Sequence, residues 1–222
     1  MKENTIDSIL LDLDGTLVDT ASEMHLALNI LLSEEAMEPQ PYETIRPLVS
    51  NGVMGIFNIV FEDSPKVNGR RFNRYLDIYE EYLGTNAQLF PGMEKVISSV
   101  ENKGIHWGVV TNKSKRFTSP LLQKLDLYER ASCIVCGDTT DKKKPDPKPI
   151  NHALLLLNIK SSNNSFYVGD SKKDVDAAKA AKISSIACTF GYIEEDDDPE
   201  KWYADYLIDQ PLEMLKILNN MT

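Results

Sequence analysis

The chain has 222 residues, 42 % apolar and 26 % charged, the balance of an ordinary soluble globular protein rather than of a disordered or fibrous one. That length admits one large domain, or one domain carrying a modest insertion. Its formal charge of −10, from 24 basic and 34 acidic residues, excludes a surface built to neutralise nucleic-acid phosphates, so an anionic substrate must meet local positive groups.

The N-terminal residues 1–8 are polar and unlike a secretory apolar region. No apolar stretch approaches the ~20 residues that span a bilayer, so no membrane partner and a cytoplasmic location are expected. Three cysteines give no disulfide framework. Cys133 and Cys136 form a CxxC, but inside a strand a spacing of three places them on opposite faces, as structural thiols. His25, His106 and His152 are scattered and lack a zinc-type spacing.

In chain order, apolar runs predict strands over 8–13, 106–110, 133–136, 166–168, 185–188 and 206–208. Helix-period segments lie between or after the later ones, over 92–102, 114–125, 147–157, 172–181 and 211–218. Alternating strands and helices predict an α/β fold, a Rossmann-like and mainly parallel sheet with helices on its faces. The stretch 18–83 breaks the rhythm, holding helical patterns and no convincing strand. Leu26, Leu28, Ile30 and Leu31 mark one helix, Val53, Ile56, Phe57 and Val60 a second, and Phe72, Tyr75, Leu76 and Tyr79 a third. Gly84, Pro91 and Gly92 punctuate a return linker. The expected division is therefore an α/β core over 1–17 and 85–222, with an all-helical cap over 18–84 inserted after the first strand. The acidic stretch 194–200 reads as a solvated loop.

Four segments at the carboxyl ends of predicted strands carry chemistry, where parallel sheets bind ligands. In LLDLDGTLVDT, residues 10–20, an apolar strand runs into Asp12 and Asp14, whose period-two spacing points both carboxylates to one site. Gly15 lets the backbone turn away. Two such acids repel unless a cation or a proton relieves them. In VVTNKS, Thr111 and Asn112 stand between a strand and a helix start, where a hydroxyl and backbone N–H groups hold phosphate oxygens or simply cap the helix. In KKKPDPKP, Lys144 sits beside Pro145 in a stiff turn and delivers a positive charge. In FYVGDSKKDVDAAKAA, Asp170 and Asp174 offer hard oxygen ligands, and Ser171 with Asp174 also reads as a capping box.

With these four ordered motifs and the helical insertion after the first, the chain resembles the haloacid dehalogenase superfamily, especially its phosphoglycolate phosphatase-like members, over nearly its whole length. The resemblance implies an Mg²⁺-dependent phosphatase of a small phosphorylated metabolite, with Asp12 as nucleophile and Asp14 as general acid–base. It assigns phosphate binding to Thr111, Lys144, Asn112 and Gly15. Metal binding falls to Asp12, the Asp14 backbone carbonyl, Asp170 and Asp174, the last either on the metal or orienting the lysine. The second Asp favours phosphoryl transfer over dehalogenation.

The segment RPLVSNG, 46–52, holds Arg46 and a Ser50-Asn51-Gly52 helix start. It either meets the substrate from the cap, Arg46 or the helix start taking a second anionic group such as a carboxylate, or is an ordinary N-cap beside a surface arginine. A phosphosugar mutase, a pyrophosphatase and a nucleotide or amino-sugar phosphatase share this scaffold and remain open. A phospho-receiver signalling domain, the non-enzyme alternative, lacks the DxDGT segment, the inserted cap and this length. Oligomeric state and physiological substrate are not legible.

Overall fold

A computed structural model of the chain describes residues 6–61, 69–159 and 164–220. Most of the polar N-terminal segment, residues 1–5, lies outside the described residues. Strand β1 is Ser8–Leu11, a run of four residues buried on both faces, as the interior strand of a parallel sheet requires. The other sheet strands are β4 (His106–Val110), β5 (Cys133–Val135), β6 (Ser165–Gly169), β7 (Ser184–Cys188) and β8 (Tyr206–Ile208). They form one six-stranded sheet in the order β5-β4-β1-β6-β7-β8, every pairing parallel.

Helices α5 (Met93–Asn102), α6 (Lys115–Lys124), α7 (Lys148–Leu156), α8 (Lys172–Ala181) and α9 (Glu213–Asn219) occupy the predicted helical segments. Strand β1 ends two residues before the predicted boundary. The Asp12 N–H still donates to the Val168 carbonyl, after which the N–H groups of Thr16, Leu17 and Val18 all turn back to the Leu13 carbonyl. Cys136 lies just beyond β5, so the opposite-face argument does not apply to it; all three cysteines are nonetheless buried and unpaired. Burial pushes the Cys133 thiol up to about 12, leaving an inert group.

The stretch read as strandless contains one short exception. Strand β2 (Val18–Asp19) pairs antiparallel with β3 (Gln88–Leu89), a two-residue ribbon too short to register as a pattern. Between them run α1 (Ala21–Glu34), α2 (Tyr42–Ile45), a 3-10 turn over Arg46–Asn51, α3 (Gly52–Val60) and α4 (Arg70–Tyr82). Tyr75 and Phe57 meet edge to face at 5.5 Å, and the Tyr75 hydroxyl donates to the Met24 carbonyl, tying α4 to α3 and α1. Among the described residues no helix is long and apolar enough to cross a membrane.

The two ends of this helical segment are joined by a buried carboxylate. Glu23, on α1 and fully buried, accepts from the N–H groups of Asn86 (2.8 Å), Ala87 (2.9 Å) and Gly84 (3.0 Å) on the returning strand of chain. Three N–H groups with a charged acceptor form a strong set, and all three would be stranded without it. Glu23→Ala is therefore expected to lower unfolding free energy by roughly 3 kcal/mol in urea denaturation, and Glu23→Gln, which keeps one acceptor oxygen, by less.

Candidate active site

Asp12 follows β1, Thr111 follows β4 and Asp170 follows β6, three adjacent strands whose ends face one way. The chain order reverses around β1, with β4 and β5 on one side and β6 to β8 on the other. Loops at such a switch point diverge and leave a crevice. Lys144 arrives from the long connection after β5, across a cis peptide bond to Pro145. The amide of Asn112 fixes that loop from the next strand, its Nδ2 donating to the Lys144 carbonyl and its Oδ1 accepting from the Lys144 N–H, both at 3.0 Å. Asn112, expected at the phosphate, carries the Lys144 backbone in this structure.

The centre is a buried ion cluster. The Lys144 ammonium lies 2.8 Å from Asp12 Oδ1, 2.7 Å from Asp174 Oδ1 and 2.7 Å from the Tyr167 hydroxyl. Those contacts use all three of its N–H donors. Tyr167 in turn donates to the Val110 carbonyl at 2.6 Å. Lys144, expected to reach a phosphate, thus orients the Asp12 carboxylate here. Asp174 serves twice, accepting from the Ser171 N–H at 3.2 Å as the capping box of α8 and holding Lys144 with its other oxygen.

Asp170 completes the cluster. Its Oδ2 accepts from the Tyr192 N–H at 2.8 Å and from the Ser50 hydroxyl at 2.7 Å, while Oδ1 is buried with no partner. Gly15 and Gly191 press against it. A Cβ on Gly15 would come within 2.0 Å of Asp170 Oδ2, and Gly15 has φ +81°. The Gly15 N–H, expected at the phosphate, donates to the Val18 carbonyl.

Burial pushes the Asp12 carboxyl up to about 6 against the pull of Lys144, and burial with the neighbouring Asp12 and Asp174 pushes Asp170 well above the carboxylate range. Burial would lower Lys144, but Asp12 and Asp174 outweigh it and hold the ammonium above its ordinary value. Oxygens of Asp12, Asp170 and Asp174 lie within 4.8 Å of one another. Three carboxyl groups share one lysine, too little positive charge for all of them to ionise, and the partnerless oxygen of Asp170 faces no protein donor. An all-oxygen, partly unsatisfied cluster whose acids are held back from ionising fits a hard divalent cation, which would relieve them.

Asp14 stands to one side. Its carboxylate accepts from the Thr20 hydroxyl at 2.6 Å and pairs with Lys113 Nζ at 2.9 and 3.2 Å. Thr111 is buried, and its hydroxyl oxygen accepts from the Lys113 N–H at 3.1 Å, leaving the O–H to donate. Lys113, Tyr167 and Tyr192 were not singled out by sequence reasoning. Lys113 is in the quoted VVTNKS motif, but nothing local indicates that its side chain folds back onto Asp14.

The segment 46–52 reaches the same place from the other side. Arg46 donates to the carbonyls of Gly191 (3.0 Å) and Phe190 (3.2 Å) and lies 5.1 Å from the Tyr192 ring centroid. Its guanidinium, expected to meet a substrate anion, is thereby a latch onto the loop after β7. Asn51 bonds Glu194 at 2.7 Å and Lys173 at 3.3 Å. Gly52, at φ +69°, starts α3 with open space around it. Tyr192 links the latch to the ribbon: its hydroxyl accepts from the N–H groups of Thr20 (2.7 Å) and Ala21 (3.0 Å) and donates to Asp19 at 2.7 Å.

A parallel α/β sheet whose crevice holds paired carboxylates, a buried lysine and a cation-ready acid cluster suits the binding of a phosphoryl group beside a divalent cation. The comparisons give the particular family. A profile for "Haloacid dehalogenase-like hydrolase" matches residues 9–188. The N-acetylmuramic acid 6-phosphate phosphatase of Pseudomonas putida is 33 % identical over 215 residues, 96 % of this chain and 96 % of that protein. A phosphoglycolate phosphatase of Xanthomonas campestris pv. campestris is 36 % identical over 205 residues, 92 % of each. In fold, the crystal structure of a "predicted phosphoglycolate phosphatase" from Haemophilus somnus superposes with a TM-score of 0.83 at 22 % identity, covering 98 % of this chain and 99 % of that one. The chain belongs to the haloacid dehalogenase-like hydrolase family, and within it is phosphoglycolate phosphatase-like.

Ser50 is the one residue of the helical segment bonded to the acid cluster among the contacts described, so removing its hydroxyl should loosen Asp170 without touching the other carboxylates. Ser50→Ala is expected to weaken Mg²⁺ binding, measured by calorimetry on the resting protein, by about tenfold, the scale of an outer-shell hydrogen bond to a metal ligand.

Proposed function

We propose that the chain is an Mg²⁺-dependent phosphatase that hydrolyses a small phosphomonoester through an aspartyl-phosphate on Asp12. The observation that carries this reading is the division of labour between Asp12 and Asp14. Two residues apart, one is fixed beside Lys144 and the acid cluster, and the other beside Thr20 and Lys113, away from that cluster. We further propose that residues 1–17 and 85–222 act as the catalytic core and 18–84 as a cap that covers it.

Both described contacts to the Asp12 carboxylate, from the Leu13 N–H at 2.8 Å and from Lys144, fall on Oδ1. Oδ2 is then the oxygen that attacks phosphorus, with the carboxylate held in one rotamer and little entropy left to lose. Asp14 gives a proton to the departing oxygen and then takes one from the water that cleaves the aspartyl-phosphate. Thr111, through its free O–H, holds a phosphate oxygen, and Lys144 keeps the nucleophile oriented through both steps. Asp12, Asp170 and the Asp14 carbonyl would hold Mg²⁺, with Asp174 beside them, and the ion when bound supplies positive charge that screens the nucleophile from the phosphate. A latched cap excludes bulk water during transfer.

The names of the relatives support a substrate whose leaving group contains a carboxylic acid, as phosphoglycolate does. A second reading, an amino-sugar phosphatase, is favoured by the likeness to N-acetylmuramic acid 6-phosphate phosphatase. Three buried, unpaired thiols support a reducing, cytoplasmic setting.

Asp12→Asn is expected to cut phosphate release from p-nitrophenyl phosphate by a thousandfold or more, on the order of losing a covalent nucleophile, while leaving the circular dichroism spectrum intact. Asp14→Asn should cost about a hundredfold to ten-thousandfold. Chelation by EDTA should abolish turnover and Mg²⁺ restore it. Retained turnover in folded Asp12→Asn would falsify the covalent route.

A further inference from the structure

Two carboxylates leave the end of β1, and the reaction needs both in place. Asp12 is held by Lys144 inside the acid cluster. Asp14 must bring one oxygen within about 2.6 to 3.2 Å of the departing oxygen, and later of the water. Lys113 touches both Asp14 oxygens, at 2.9 and 3.2 Å, but an ammonium on a flexible stem is a point charge and sets no angle. The contact that fixes the carboxylate is the buried Thr20 hydroxyl, 2.6 Å from Oδ1, which leaves Oδ2 with only the longer lysine contact.

Thr20 is the N-cap of α1, where a threonine hydroxyl ordinarily accepts from the second or third N–H of the helix. It makes no such bond here and is given to Asp14 instead. The helix start is served from 172 positions away in the chain. The Tyr192 hydroxyl accepts from the N–H groups of Thr20 (2.7 Å) and Ala21 (3.0 Å) and donates to Asp19 at 2.7 Å, so its one donor and both lone pairs are in use. The backbone N–H of the same residue donates to Asp170 Oδ2 at 2.8 Å. Packing fixes its place: Tyr192 is buried, and a side chain on the neighbouring Gly191 would run into Asp170 and the Gly15 carbonyl. Tyr192 therefore grips Asp170 by its backbone and, through Thr20, reaches Asp14 by its side chain.

We propose that Tyr192 is a positioning residue for the acid–base: its phenol anchors the Thr20 backbone so that the Thr20 hydroxyl holds Asp14 at a set angle, in register with Asp170. This rests on the phosphatase reading and assigns Tyr192 itself no contact with the substrate. The two arms of the residue can be separated. Tyr192→Phe keeps the backbone N–H on Asp170 and the ring beside Arg46, and loses only the bonds of the hydroxyl. Two N–H groups at the start of α1 then lack that acceptor, and Thr20 shifts with them. The cost falls on proton transfer, where a misplacement of about 1 Å is worth roughly a hundredfold.

The test compares phenyl phosphate, whose leaving oxygen needs a proton, with p-nitrophenyl phosphate, whose leaving group departs as a stable anion, in the Mg²⁺-loaded full-length protein. In Tyr192→Phe, kcat/KM for phenyl phosphate should fall about ten- to a hundredfold, while that for p-nitrophenyl phosphate stays within about twofold. Mg²⁺ affinity, measured by calorimetry on the resting protein, should stay within about twofold, because the arm to Asp170 is untouched. Thr20→Val, which removes the hydroxyl and keeps the N–H on Tyr192, should show the same split. The double variant should fall no more than about threefold below the worse single one, as expected of two residues that act through one contact. Should Tyr192→Phe not fold, Asp19→Ala, which leaves the phenol without the acceptor that orients it, should show the split at smaller size, and its absence overturns the proposal. The proposal is also overturned if phenyl phosphate is unaffected, if both esters slow equally, if Mg²⁺ affinity falls along with turnover, or if the single losses multiply in the double variant. In those cases the wild type still releases phosphate and the phosphatase reading stands. If the wild type releases phosphate from neither ester, that reading fails, and the role of Tyr192 with it.

Discussion

The site depends on one buried cation. Lys144 is pinned among Asp12, Asp174 and the Tyr167 hydroxyl, and every neighbouring element contributes to keeping it there. Asn112 holds its backbone, Val110 accepts from Tyr167, and the first turn of α8 fixes Asp174 through the capping box. A buried ammonium with three good acceptors escapes most of its desolvation cost; removing one acceptor would leave it uncompensated. It does not neutralise the cluster, however. With Asp170 included, three acids compete for one lysine and Asp170 is held from ionising, an electrostatic demand that a divalent cation fits.

The helical segment takes part in that demand. Ser50 donates to the same Asp170 oxygen that accepts from Tyr192, and Tyr192 bonds the start of α1 and faces Arg46. One loop after β7 therefore touches the acid cluster, the start of α1 beside the β2–β3 ribbon, and Arg46. Glu23 ties the outgoing and returning chains together at the opposite edge. The Ser50 hydroxyl thus makes the helical segment part of the support of Asp170.

On this arrangement the two half-sites have different chemistry. The acid cluster beside Asp12 fits a cation; on the other side Lys113 lies against the Tyr79 ring and is paired with Asp14.

Much was legible in the residues. Apolar runs of four to five residues ending in Asp12, Thr111 and Asp170 were enough to predict parallel strands and to place those side chains at one sheet edge, because strand period and loop position are local properties. The Ser171–Asp174 capping box was likewise local and is present. The ribbon of β2 and β3 was missed because two residues carry no period. The protein partners of Arg46, Asn112, Lys144 and Gly15 were not legible for a different reason: a residue type says what kind of group a position offers, and distance in space decides what it meets. Arg46 and Gly191 are 145 residues apart, Lys113 and Asp14 99, and Ser50 and Asp170 120. The sequence by itself determined the α/β frame and its set of acids; only the tertiary structure decided which cation holds which acid, because a hydrogen bond of 3 Å depends on the packing of the whole chain and not on the spacing of its letters.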